Sequence, residues 1–205
     1  MGLSLEVGIL PDLAEADEEG YQYYKEQFQL ANKALSDAGA PKHIEPEEVE
    51  GIFNCDMAGY SPLHSLRRLG AYIALERPAP SPGTLDAYKD PLFEEYHQRF
   101  LSSECLKFQH LIMHSDAEGF YIPVEFERVI NAEELLLAGG YLGSTQRLRA
   151  ECLELEALLQ EIDPPVKKGW FGRAQFQYDR ERFAVHQLLE ACEASIRMRA
   201  AIVIS

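Results

Sequence analysis

Apolar positions recur three and four residues apart along most of this chain, which predicts helices before anything else. The clearest stripe runs through Tyr21, Tyr24, Phe28, Ala31 and Leu35. Asp17 is a suitable N-cap for it, Glu18 and Glu19 suit its positive end, and Gly39 with Pro41 supplies the stop. Ser61-Pro62 opens a second helix with Leu63, Leu66, Gly70 and Ile73 on its inner face. Asp90-Pro91 opens a third, shorter one carrying Leu92, Phe93, Tyr96 and Phe100. Ser144 caps a long helix whose stripe is Leu148, Cys152, Leu155, Leu159 and Ile162, closed by Asp163-Pro164-Pro165. Asp179 caps the last, with Val185, Leu188, Leu189, Cys192 and Ile196 facing the core.

Strand signals are fewer. Leu3 to Leu10 alternates loosely and suits an edge strand. Between Phe108 and Phe126, two short apolar runs flank Ser115-Asp116-Ala117-Glu118-Gly119, the layout of a β-hairpin with Gly119 supplying a left-handed turn residue. The expected fold is therefore α+β and predominantly helical, with about five helices packed on a small antiparallel β-hairpin. Residues 1–205 read as a single globular domain, the Pro78-to-Gly83 stretch being a surface loop and the hinge if there were two.

Composition adds three constraints. A hydrophobic content of 46% is enough for a core without disulfide or metal staples. No apolar run approaches the roughly 20 residues of a membrane span, and the opening residues lack the layout of a secretory signal. The four cysteines are scattered without a C-x-x-C pair, so a reducing cytoplasm is the expected location.

Charge changes the picture most. The net −15 is concentrated at the front: residues 1–50 hold 12 acidic and 3 basic residues. Such a surface repels nucleic-acid backbones and anionic lipid, so neither nucleic acid nor membrane is an expected partner. It suits a basic protein, the plainer alternative being solubility alone. Asp17, Glu18, Glu19, Glu45, Glu47, Glu48 and Glu50 are the expected contact residues, with Asp116 and Glu118 from the turn. Trp170, in a loop with Lys167, Lys168, Phe171 and Arg173, is either a recognition residue or a loop anchor. Arg67 and Arg68 are expected to pair with the acidic front half.

Candidate chemistry centres on His110, His114, Asp116 and Glu118. If residues 110–114 are a strand, the two histidines lie about 13 Å apart and cannot share an ion; on a helix they could. No metal or cofactor is expected. His114, Asp116 and Glu118 are the catalytic candidates, against the plainer reading that Ser115 and Asp116 cap a turn. Gly139 to Thr145 precedes a helix N-terminus but lacks the lysine of a phosphate-binding loop. G-x-S-x-G and H-E-x-x-H are absent from the sequence.

The segment from His114 through Ser-Asp-Ala-Glu-Gly-Phe-Tyr-Ile to Pro123, with Leu142-Gly-Ser-Thr-Gln-Arg-Leu148 downstream, resembles a family of uncharacterised bacterial proteins of about this length. That resemblance implies one domain and carries no functional residue. In general style the chain is also similar to immunity proteins, the small acidic antidotes of toxins. Two expectations follow. One is a protein-binding protein, an immunity-type inhibitor of a basic toxin. The alternative is a small hydrolase-like enzyme using His114, Asp116 and Glu118.

Overall fold

The structure, a computed structural model, describes residues 2–82, 89–167 and 174–205. Its centre is a six-stranded mixed sheet in the order β2-β1-β8-β3-β5-β4. These strands are β1 (Ser4–Val7), β2 (Phe53–Asp56), β3 (Gly119–Ile122), β4 (Ile130–Asn131), β5 (Tyr141–Ser144) and β8 (Ile202–Ile204). All neighbours are antiparallel except β3 and β5, which run parallel. A two-stranded ladder, β6 (Val166–Lys167) with β7 (Ala174–Gln175), stands apart from it.

Alternation along the strands sends side chains to two separate cores. Phe120, Ile122, Leu142, Ala201 and Val203 meet α1 (Ile9–Leu13) and α2 (Glu18–Asp37) through Leu10, Phe28, Ala31 and Leu35. Leu3, Leu5, Tyr121, Ile202 and Ile204 face the other way, onto the larger helical layer. That layer is α3 (Ser61–Ala74), α4 (Pro91–Leu101), α5 (Gln109–Ile112), α6 (Thr145–Ile162) and α7 (Asp179–Met198). Leu66, Leu69, Leu148, Leu155, Val185 and Leu188 fill it. One face of the sheet is thus covered by α1 and α2, and their outer sides meet solvent.

The α+β class holds, but the sheet is larger than a hairpin. The expected hairpin is absent because its first arm is helical: α5 makes one short turn after Phe108, and only the second arm becomes β3. β1 is an interior strand rather than an edge, because the chain's last apolar run returns as β8 beside it. Ile202, Val203 and Ile204 are buried on both sheet faces, so they show no alternation for the sequence to reveal. The helix starts at Asp17, Ser61-Pro62, Asp90-Pro91 and Ser144 are where the sequence placed them. Ile196, expected in the core, is exposed. Among the described residues no helix is long and apolar enough to cross a membrane.

Candidate functional site

Helix α2 is the frame of the acidic front half. Asp17 accepts a hydrogen bond from the Gly20 N–H at 3.0 Å, satisfying one of the free donors of the first turn. Glu18 and Glu19 follow in the same turn, where the helix dipole favours negative charge. Phe28, Ala31 and Leu35 lie against the sheet, which leaves Glu18, Glu19, Glu26 and Asp37 exposed on the outer side. Asp12 and Glu15, at the end of α1 and in the turn after it, are exposed as well.

Residues 41–52 form no regular element, yet they are fixed alongside α2. The Asn32 side chain donates to the His43 carbonyl and accepts from the His43 N–H, both at 2.8 Å. Farther along, Lys25 meets Glu47 at 3.1 Å. His43 therefore lies beside a later helix residue and Glu47 beside an earlier one, so this segment runs antiparallel to the helix. Glu45 ties it to the sheet: its Oε2 accepts from the Ala201 N–H at 2.8 Å and lies 2.6 Å from His43 Nε2. Glu45 is consequently buried and forms no part of the exposed carboxylate face on which it was expected. Glu47, Glu48 and Glu50 are exposed.

Two acidic tracks result, one on the helix and one on the segment beside it. Asp12, Glu15, Asp17, Glu18, Glu19, Glu26, Glu47, Glu48 and Glu50 make nine exposed carboxylates on α1, α2 and this segment, where the cations are Lys25, paired with Glu47, and the exposed Lys33 and Lys42. Glu18 to Glu26 spans roughly 12 Å of helix at 1.5 Å per residue. Through β2, residues 1–56 hold 13 acidic and 3 basic residues, a net −10 of the chain's −15. Many cations of the remainder pair within that remainder, as in Arg99–Glu104, Lys107–Glu154, Arg147–Glu125 and Arg149–Glu193. Arg67 and Arg68 do the same, contrary to expectation. Arg67 donates to the carbonyls of Leu111, His114 and Ser115, and Arg68 pairs with the buried Asp90.

The histidine cluster is structural. His110 Nδ1 accepts from the Ser144 N–H at 3.1 Å, and Nε2 lies 3.2 Å from the Glu127 carbonyl, which fits one neutral tautomer. His114 is 2% exposed, stacks on Tyr121 with ring centres 4.1 Å apart, and has both nitrogens 2.9 Å from backbone carbonyls. Burial lowers both rings to about 4. Neither ring opens onto substrate space, so the catalytic expectation for His114 loses its base. Asp116 is paired with His64. Among the described residues no group of three or more His, Cys, Asp or Glu side chains is placed to hold a metal ion.

Glu118 is exposed and stands near Tyr23 and Tyr24; burial pushes both hydroxyls up first, followed by the Glu118 charge for Tyr23 and by Glu6, Tyr23 and then Glu118 for Tyr24. The turn is thereby joined to the α2 face through Glu118 and not through Asp116. Ser115 Oγ accepts from the N–H groups of Ala117 and Glu118, a self-capping turn. Of the glycine segment, Gly139 and Gly140 lie in a turn and Tyr141–Ser144 is strand β5, its Ser144 capping α6 by accepting from the Arg147 N–H. Trp170 lies outside the described residues. Sequence reasoning missed Asp12, Glu15 and Glu26, although Glu26 lies two turns after Glu19 on the same helix face. It also missed Asn32 and His43, whose pairing has no local signature.

Over residues 1–204 the chain matches the model of a family described as "Putative DNA-mimic protein". No curated protein and no solved structure matches it.

Proposed function

The chain belongs to this DNA-mimic family, and on that premise we propose that it presents the carboxylate face of α1, α2 and residues 41–52 to DNA-binding proteins in place of DNA. This corrects both functional expectations drawn from the sequence. Family membership points to imitation of nucleic acid, and neither toxin immunity nor hydrolysis. The exclusion of nucleic acid from the partner description is overturned with them. A surface this acidic repels DNA itself, but the same charge imitates the DNA backbone to proteins that bind it.

The charge density carries the reading. Duplex DNA bears about one negative charge per 1.7 Å of axis, or roughly 7 over a 12 Å stretch. Together α1, α2 and residues 41–52 carry ten exposed carboxylates, Asp37 included, against Lys25, Lys33 and Lys42, a net −7. Their arrangement supports the reading as much as their number. One track is helical and the other extended, and hydrogen bonds to Asn32 and Ala201 fix the second before any partner arrives. Preorganisation of this kind spares the cost of ordering the contact groups on binding. The free thiols Cys55, Cys105, Cys152 and Cys192 fit a reducing compartment such as the cytoplasm.

The test is displacement. A panel of purified DNA-binding proteins is loaded with a fluorescent duplex, and the chain is titrated in while anisotropy is followed. Release of duplex from at least one member is expected. A quadruple variant with Glu18, Glu19, Glu47 and Glu48 changed to Lys should release none. Retention of duplex by every member, or equal release by the variant, would overturn the reading.

A further inference from the structure

Between the two acidic tracks lies a groove of about 250 Å³, walled by Leu10, Phe28, Gln29, Asn32, His43 and Glu45. That is below the roughly 300–1,000 Å³ of sites for drug-sized ligands and suits a single side chain. Its rim is unlike the rest of the acidic face: Ile44 is 88% exposed there, an isolated apolar side chain among carboxylates. Its wall holds the one carboxylate of this region that is buried. Glu45 has a side chain only 2% exposed, its Oε2 is committed to His43 and Ala201, and its Oε1 has no hydrogen-bond partner.

A buried carboxylate oxygen without a donor is costly, and more so when the group is charged. It marks a place where a donor from outside would be favourable. Lys25 does not supply it. Its ammonium is held at the groove's end by Glu47 at 3.1 Å and by Tyr21, whose hydroxyl is 3.5 Å away.

We propose that this groove takes one arginine side chain of the DNA-binding protein, its guanidinium directed to Glu45 and Glu47 and its stem lying against Ile44 and Phe28. The inference rests on the mimic reading above and names the chemistry that this face selects. Arginine is favoured over lysine for a geometric reason. Its planar fork offers several N–H groups to two carboxylates at once and stacks on flat rings, and Phe28 and His43 stand edge to face in the wall with centres 6.3 Å apart. A lysine ammonium is a single, strongly hydrated point, which the outer carboxylates already satisfy. Binding of the guanidinium displaces the Lys25 ammonium from Glu47 without any covalent change.

The experiment uses the ¹⁵N-labelled full chain and three probes: N-acetyl-arginine amide, the lysine analogue, and the uncharged citrulline analogue. Arginine should shift the Asn32 side-chain signal and the His43 and Glu45 backbone signals saturably. Lysine should bind there about tenfold more weakly, and citrulline should leave the signals in place. Glu45→Gln should erase the arginine preference. Because that change touches buried hydrogen bonds, Ile44→Lys at the exposed rim serves as the second variant and should weaken arginine binding without altering the fold. Equal response to arginine and lysine, a response to citrulline, or shifts spread evenly over the acidic residues would overturn the proposal. The duplex-displacement assay on the same sample separates the two levels. Displacement without an arginine preference sinks the groove alone, and failure of both sinks the mimic reading with it.

Discussion

Asn32 and His43 hold each other twice, the amide of one closing both backbone groups of the other at 2.8 Å. That pair converts an irregular segment into a rigid second track beside α2. Each bond is worth about 1 kcal/mol, so Asn32→Ala should cost roughly 2 kcal/mol by denaturant titration. It should also weaken duplex displacement, because Glu47, Glu48 and Glu50 lose their fixed place. Unchanged displacement alongside the stability loss would show that the second track needs no anchoring.

Charge sets the next expectation. Changing Glu18, Glu19, Glu47 and Glu48 to Gln removes four charges with almost no change in shape. Binding to a displaced partner should weaken, mainly through slower association, and its salt dependence should flatten. The measurement is the association rate over a range of ionic strength, and parallel salt slopes for the variant and the parent would refute it.

Stability against pH follows from three buried groups. Burial pushes Glu151 up to about 8, although its carboxylate accepts from the N–H groups of His110 and Leu111. Its folded value lies above the unfolded one, so its stabilising contribution is complete below about 4.5 and is lost as pH rises through 8. His110 and His114 run the other way. Burial lowers both to about 4, so their contribution is complete above about 6.5 and is lost as pH falls through 4. Two histidines outweigh one glutamate below 6.5, and the glutamate acts alone above it. These groups therefore place the stability maximum near pH 6.5. Denaturation midpoints between pH 4 and 9 should trace that peak, and Glu151→Gln should remove its alkaline descent while leaving the acid one. A variant with the same alkaline slope as the parent would assign that slope elsewhere.

The parallel pair of β3 and β5 tolerates no added atom at Gly143. A Cβ on Gly143 would lie 2.2 Å from the Tyr121 ring, and Tyr121 is fully packed with its hydroxyl donating to the His110 carbonyl. Gly143→Ala should cost about 3 kcal/mol, the upper range for overpacking. Thermal unfolding tests this, and a loss under about 1 kcal/mol would mean that the ring moves freely.

The stripes from Tyr21 to Leu35 and from Leu148 to Leu159 were legible because helical order is written in near neighbours, three and four residues apart. Caps such as Asp17 and Ser144 were legible for the same reason. The five residues around Ser115 misled because Leu-Ile-Met-His is too short to separate strand from helix by periodicity. What decided it lies far away in sequence: Glu151 caps the first turn of α5 from another helix, and Arg67 donates to the Leu111 carbonyl within it and the His114 carbonyl just beyond.

The acidic bias was plain in the composition, but composition has no geometry. Glu45 and Glu47 are two residues apart and chemically identical, yet one is buried against Ala201 and the other is exposed beside Lys25. The sequence by itself determined the five longer helices, the caps Asp17, Asp90 and Ser144, and the excess of negative charge, all properties of local spacing or of sums. Tertiary structure alone decided that the chain's last strand enters the sheet beside its first, and that an irregular segment lies along α2 as a second row of charge. Those outcomes depend on contacts between residues distant in the chain, whose energies no local pattern records.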